Sequence, residues 1–559
     1  MPADVQNPHN AAPPRLSASV RLERAGGPDS WLVTVDGVPV SRASVATTEL
    51  LRAMDGATSV AELHRRFAPE QPTGAFADLI DRFRHAGLLE GSERPLAGRM
   101  TYRPPLTIQF ATLRAPELFE VLHRVLRPVL GRWVPWGAAV CVVLGGAALI
   151  MQASGAITAL TSPLPMVDVL IVAVVLVAAT FAHEAAHGVM LTSAGARPRR
   201  AGVMLLYLGP AFFVDVTDAW RLPSRRLRVA VALAGPAVHA VMGGAAALAA
   251  LFTTDPDVRR TLLVLSCACA AVVLVNLVPF VRFDGYIALM SAVDEPNLRA
   301  RTMADAGATV RWLLFGTEPP PRALARWWSV PFGLLSVAVP TTLVWFALER
   351  AVRALSGTGA LGAFLALALQ VVVLVAVGVP VARWLAASVR QGRRRLRGLV
   401  MGATLLAAII TAAAVVPVAD ARAAGFLLVD GRPVLVVPAD GSAAVPVTAG
   451  TPVELMTSGI LGDARVAVGT VRPQTSWTLS VPISAFTPLA ATGVRVEATA
   501  VGVVDVAAGD ALPSAGRAFV QLGTRSLLSQ VWSSHVTGPL STLLTAFPSS
   551  LSGSQEGQS

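Results

Sequence analysis

Seven stretches of this chain are apolar for about twenty residues each, the length a helix needs to cross the hydrocarbon core of a bilayer at about 1.5 Å per residue. They lie near 134–156, 164–190, 228–252, 261–281, 327–347, 360–383 and 398–418, and they set the fold class as a polytopic α-helical membrane protein. With 53% hydrophobic residues and a mean hydropathy of +0.59 over 559 residues, the chain is too apolar for a wholly soluble protein. Its first residues, MPADVQNPHNAAPPR, lack the apolar centre of a cleavable signal peptide, so the N-terminus is expected in the cytoplasm. Seven crossings then place the segment after the last span outside the cytoplasm. On that topology the loops near 191–227, 282–326 and 384–397 are cytoplasmic. They carry Arg197, Arg199, Arg200, Arg225, Arg226 and Arg228, then Arg299, Arg301 and Arg311, then Arg390, Arg393, Arg394, Arg395 and Arg397. Positive charge prefers that side, so orientation and charge agree.

The net charge of +11 raises the question of a nucleic-acid partner, and its distribution excludes one. Residues 15–92 hold nine Arg against ten acidic residues, and residues 420–559 hold seven against nine, so the excess belongs to the membrane loops. No basic groove is implied. The three cysteines, Cys141, Cys267 and Cys269, all fall in apolar stretches, which argues against a disulfide framework.

Outside the spans, residues 15–92 read as a small α+β module of winged-helix type. Leu16, Ala18, Val20 and Leu22 alternate with polar residues, and WLVTV joins VPVSR through Asp36-Gly37, the signal of a two-residue hairpin. A helix near 44–54 follows. A second opens at Ser59 with Glu62 three residues on, the spacing of a capping box. A third carries Phe76, Leu79, Ile80 and Phe83 on one face and ends at Gly87. Residues 93–133 read as a linker, with an amphipathic helix from Pro116 to Leu130 lying on the inner surface. The run Gly202–Val214 contains Gly209-Pro210 and is too short to span, so it is expected as a re-entrant loop or membrane-edge hairpin. Short apolar runs such as FLLVD, PVLVVP, RVAVGTV and WTLSVP predict an all-β domain at 419–547. Residues 1–14 and 548–559 read as disordered tails.

The chemistry centres on His183-Glu184-Ala185-Ala186-His187, at the cytoplasmic end of the second span. Residues four apart share a helix face, so the two imidazoles can grip one zinc ion with Glu184 beside it. Zinc acidifies a water molecule, and Glu184 can take its proton during attack on a peptide carbonyl. A catalytic zinc needs a third protein ligand. No Glu occurs between Glu184 and Glu295, and the remaining candidates are Asp215, Asp218, Asp255, Asp257, Asp284, Asp294 and His239. Depth favours Asp284. His183 lies roughly 28 Å down the second span and Asp284 roughly 34 Å beyond the start of the fourth, so both reach the same boundary. Asp255 and Asp257 belong to the opposite side, while Asp215 and Asp218 are placed to meet Arg221 or Arg225. Asn276, just before Pro279, offers an amide to a substrate backbone or an oxyanion.

HEAAH together with NLVPFVRFDG resembles the site-2 protease family of intramembrane zinc peptidases over roughly residues 164–290. The resemblance implies zinc bound by His183, His187 and Asp284, with Glu184 as the base. The segment Ala234-Gly235-Pro236-Ala237-Val238-His239 departs from the family, which often has Asn after the Gly-Pro pair. His239 is therefore open between substrate positioning and packing, with packing favoured. The N-terminal module resembles PqqD-like recognition domains, which bind a leader peptide as an added strand beside the third helix. That resemblance implies leader contacts at Val38, Val40, Phe76, Leu79, Arg82 and Phe83. As a whole the chain resembles peptide zinc metalloproteases of ribosomal-peptide pathways, including those making daptide-like products. Such a protein sits in the bacterial cell membrane, takes a precursor peptide as substrate, and has lipid and peptide-modifying enzymes or an ABC exporter as partners. The competing classes are a regulatory protease releasing a membrane-held transcription or sigma factor, and a non-proteolytic binding or immunity protein.

Overall fold

The computed structural model describes residues 13–24, 30–92, 100–103, 107–206, 209–317, 322–324, 326–356, 358–391, 394–439, 447–506 and 512–546. Both expected tails fall outside them, apart from residues 13–14. The chain divides into two compact units. One comprises residues 1–145, 176–245 and 268–298, and the other 146–175, 246–267 and 299–559.

The first unit begins with an antiparallel sheet of β1 (Val20–Arg24), β2 (Ser30–Val35) and β3 (Val38–Ser44), in that order, so β3 is an edge strand. Asp36 and Gly37 both take positive φ, 51° and 73°, which gives the two-residue turn the twist a hairpin needs. The helices α1 (Val45–Arg52), α2 (Val60–Phe67) and α3 (Thr73–His85) follow. Ser59 caps α2 by accepting from the Glu62 N–H at 3.3 Å. Val33, Leu51, Leu63, Phe76 and Ile80 form the core between sheet and helices. Leu16 belongs to no strand; it makes an isolated bridge to Leu89 and donates its N–H to the Met54 carbonyl at 2.9 Å.

The segment expected as a linker carries two strands, β4 (Met100–Arg103) and β5 (Thr107–Thr112), before α4 (Ala115–Leu126). These strands extend the hairpin formed by the Gly202–Val214 run, so a four-stranded sheet replaces the expected linker. Their shortness, with Pro104-Pro105 between them, hides the alternation.

The next elements in chain order are α5 (Val134–Met151), α6 (Ala153–Thr161), the two-residue β6 (Leu164–Pro165), α7 (Met166–Ser193), β7 (Ala201–Leu206) and β8 (Gly209–Val214). The sheet runs β4-β5-β7-β8 with β8 at its edge. A 3-10 turn at Thr217–Arg221 leads into α8 (Arg225–Phe252), α9 (Pro256–Asn276) and the short α10 (Asp284–Val293). The helices α11 (Leu298–Phe315), α12 (Ser329–Ser356), α13 (Gly359–Gln391) and α14 (Arg395–Val415) complete the helical part. Among the described residues seven helices, α5, α7, α8, α9, α12, α13 and α14, are long and apolar enough to cross a membrane. Large apolar side chains along them, among them Leu170, Val174, Phe181, Leu374 and Leu405, are exposed, as lipid-facing residues must be. The chain is a membrane-spanning protein. Its most enclosed span is α8, whose buried share of 44% compares with 6–22% in the others.

In the second unit, β9 (Pro417–Val429), β10 (Arg432–Pro438), β11 (Pro452–Met456), β12 (Arg465–Pro482), the short β13 (Leu489–Ala490), β14 (Arg495–Val506) and β15 (Ala515–Ser526) follow the last span. All but β13 close into a six-stranded barrel ordered β10-β14-β12-β11-β15-β9, while β13 pairs with β6 in parallel. Phe426, Leu435, Val453, Leu455 and Val520 fill one of its cores. The expected all-β domain to 547 ends earlier. Strand structure stops at Ser526, and α15 (Leu527–Trp532) and α16 (Gly538–Ala546) follow, joined by a π-helical turn in which His535 pairs with Glu349 at 2.7 Å. Ser526 caps α15 through the Ser529 N–H.

Candidate metal centre

On α7 the four-residue spacing brings His183 and His187 to one face, both about 95% buried. Asp284 is the first residue of α10 and meets them. Its Oδ2 lies 3.0 Å from His183 Nε2 and its Oδ1 3.3 Å from His187 Nε2, while the two Nε2 atoms are 3.2 Å apart. Zinc bonds of about 2.0–2.2 Å in tetrahedral geometry separate neighbouring ligand atoms by about 3.3–3.6 Å, slightly more than these distances. Taking one ligand atom from each residue, His183, His187 and Asp284 all lie within 4.8 Å of one another, the one His/Cys/Asp/Glu group among the described residues that could hold a metal ion. The donor set fits zinc.

Two further observations support that fit. His187 Nδ1 lies 2.7 Å from the Val231 carbonyl of α8, so Nδ1–H is the donor and the Nε2 lone pair is left for a metal. Gly235, one turn further along α8, lies against both imidazoles. A Cβ there would come 2.3 Å from His187 Nε2 and 2.5 Å from His183 Nε2, so only glycine leaves the cradle open. Pro236 follows inside α8 and cannot supply the N–H that the Ala232 carbonyl would otherwise take.

Glu184 points into a cavity of about 330 Å³ whose lining includes His187, Asp284, Val214, Trp220 and Arg228. Its Oε2 accepts the Val214 N–H at 3.0 Å, so the end of the edge strand β8 holds the carboxylate in place. Gly285 also has a packing role, since a Cβ would come 2.3 Å from the Leu277 carbonyl beyond α9. Gly285→Ala should push the start of α10, and Asp284 with it, away from the imidazoles. The expected result is a zinc affinity at least about tenfold weaker, read by competition with a chromophoric chelator. Unchanged affinity would show that the close approach is not needed.

The other sequence candidates are not among the three clustered donors, although Asp215 lines the same cavity as Glu184. Asp215 binds the Thr217 N–H and hydroxyl and faces Arg200 at 3.7 Å. Asp218 pairs with Arg199 at 3.0 Å and Arg221 at 3.5 Å, and burial still pushes its carboxyl above the ordinary value. Asp255 caps the start of α9 and Asp257 pairs with Arg260. His239 is buried with its ring 5.4 Å from that of His183, as a packing neighbour would be. Asn276 donates its amide to the Val272 carbonyl at 3.0 Å, within its own helix, and is not in the lining of the cavity.

Of the residues implied as leader contacts, Phe76 is 1% exposed in the module core, and Leu79 and Phe83 pack against that core. An inward-facing apolar stripe on a short helix serves the fold first. Arg82 bonds the Asp78 carbonyl. Val38 stands at the start of the edge strand. Val40 is exposed and lines a second cavity, of about 180 Å³, together with Pro39, Ser41, Arg42, Thr217, Trp220, Met290, Pro296 and Asn297. The open space beside β3 is thus bounded by the 3-10 turn and α10, and no residue of α3 lines it.

Sequence reasoning passed over Gly235 as a metal neighbour, although it noted the Gly-Pro pair. It also missed Trp220, Arg42 and Arg228, and no spacing rule would have connected them. Comparison of the chain with protein-family models, with curated proteins and with solved structures finds no match to any of the three.

Proposed function

We propose that the chain is an intramembrane zinc metalloendopeptidase of site-2 protease type, cutting a ribosomally made precursor peptide at the cytoplasmic edge of a bacterial cell membrane. The observation that carries this reading is the convergence of His183, His187 and Asp284 within 3.0–3.3 Å of one another, with Glu184 on the adjoining cavity.

His183, His187 and Asp284 would hold the ion, with Gly235 leaving room for it. A zinc ion there would supply Lewis-acid activation of a water molecule and of the scissile carbonyl. Glu184 takes the proton of the attacking water and returns it to the departing amine, a role that needs an unblocked carboxylate on the open side of the ligands. Val214 fixes the orientation of that carboxylate through its N–H.

The N-terminal module is read as a PqqD-like domain of winged-helix type, supported by its three-stranded sheet, its three helices and the free edge of β3. Its charge balance and the seven spans favour a cytoplasmic N-terminus and an extracytoplasmic barrel. Membrane lipid, peptide-modifying enzymes and an exporter are the partners this reading implies.

The test is incubation of the full-length protein, in lipid nanodiscs with zinc, with short precursor peptides encoded beside its gene. Mass spectrometry should find a single cleavage that stops with 1,10-phenanthroline and returns with added zinc. Intact peptides throughout, or cleavage indifferent to the chelator, contradict the proposal.

A further inference from the structure

The helix that begins with Asp284 ends at Asp294, which caps α10 in the left-handed conformation (φ 60°, ψ 34°). Three arginines converge on that carboxylate. Arg42 of β3 donates from Nη1 to Oδ1 at 2.6 Å, Arg228 of α8 donates from Nη2 to the same oxygen, and Arg225 approaches Oδ2 at 3.3 Å. The Trp220 ring lies 5.4 Å from the Arg42 guanidinium and 5.5 Å from that of Arg228, a separation at which the ring face attracts both cations. The Arg228 side chain is 1% exposed, that of Arg42 14% and that of Asp294 20%, so these three are largely shielded from solvent and salt, whereas Arg225 is 60% exposed at the rim.

This cluster spans two parts of the first unit that nothing in the sequence joins. Arg42 belongs to the N-terminal module, and Arg228 stands two turns before Gly235 on the helix that covers the imidazoles. A second contact holds the module to the same region. The Gly37 carbonyl, in the β2–β3 turn, accepts from Arg199 and, at 2.7 Å, from Arg221, and Arg221 also reaches Glu23 at 3.3 Å. The cavity beside β3 and the cavity beside the metal ligands both have Thr217, Trp220 and Met290 in their walls, and Met290 is on α10.

We propose that Arg42 is a positioning residue for the metal centre: through Asp294 it latches the N-terminal module to the far end of α10 and so fixes Asp284 against His183 and His187. The metal part of this inference rests on the reading above. A ten-residue helix is about 15 Å long and stiff, so a restraint on its last turn restricts the direction of its first. The module is then part of the site rather than a tethered accessory. Removing Arg42 leaves Asp294 with Arg228 and Arg225, so no buried charge is stranded while the module loses its ion pair to α10.

The test uses the full-length protein with Arg42→Ala, Arg42→Lys and, as a control on the same module away from the latch, Arg52→Ala. Zinc affinity is read by chelator competition and the protection of α10 amides by hydrogen exchange, with the amides of Val33, Leu51 and Ile80 reporting that the module is folded. Arg42→Ala should bind zinc about tenfold more weakly and lose α10 protection. Arg42→Lys should recover most of both, and Arg52→Ala should match the wild type. Wild-type α10 protection in Arg42→Ala overturns the latch, as does wild-type zinc affinity. A wild-type protein that binds no zinc contradicts the proposed activity instead, and the exchange of α10 alone then decides the latch.

Discussion

Glu184→Gln should keep its zinc and lose peptide-bond cleavage by about a hundredfold to ten-thousandfold, the range general acid–base catalysis contributes. The amide preserves the volume of the side chain and an oxygen that can accept the Val214 N–H, which the wild-type Oε2 accepts at 3.0 Å. It cannot take a proton from water at neutral pH. Since the three clustered donors are His183, His187 and Asp284, and Glu184 is not among them, metal content should be unchanged. The separation of the two readouts gives the substitution its force. Loss of both would make Glu184 a structural support, and product formation at the wild-type rate would remove the protease assignment and leave a binding protein with a metal site.

The second large effect is expected from a residue with no reactive side chain. Gly235→Val should abolish zinc binding, taking the metal content of the purified protein from about one ion per chain to near zero. Its Cβ alone would lie 2.3 Å and 2.5 Å from the two Nε2 atoms, well inside contact distance, and its methyl groups would occupy the space between them. The imidazoles cannot retreat easily. His187 is held by the Val231 carbonyl at 2.7 Å, and both rings are about 95% buried. Gly235→Ala should be a weaker version of the same defect. Metal analysis after desalting reads it directly, and a variant that retains one tightly bound zinc would show that the ion sits elsewhere.

Much of this architecture was legible in the residues because bilayer crossing and helical spacing are local signals. The seven apolar runs match the seven long apolar helices among the described residues, with ends displaced by up to eight residues; Arg225, Arg390 and Arg395 extend three of them beyond the apolar core. The Asp36-Gly37 hairpin and the Ser59 cap are equally local. Asp284 was found by matching depth along two spans, a one-dimensional argument that survives folding. What stayed hidden depends on contacts between distant segments. β4 and β5 gain their meaning only by pairing with β7, and Arg42 only by meeting Asp294, 252 residues later. Phe76 illustrates the reverse error. A resemblance placed it on a binding face, whereas packing puts it in the core at 1% exposure. Helices at Leu527–Ala546 were masked because Ser, Thr and Gly dilute their apolar stripe.

The central claim is that one zinc ion is held jointly by α7 and α10. Zinc K-edge X-ray absorption on the purified full-length protein measures this most directly. The prediction is about one zinc per chain with two imidazole nitrogens and light oxygen ligands at about 2.0–2.2 Å, and with Asp284→Ala losing the metal. A wild-type protein that stays free of zinc after loading, or a zinc shell without imidazole, would contradict it.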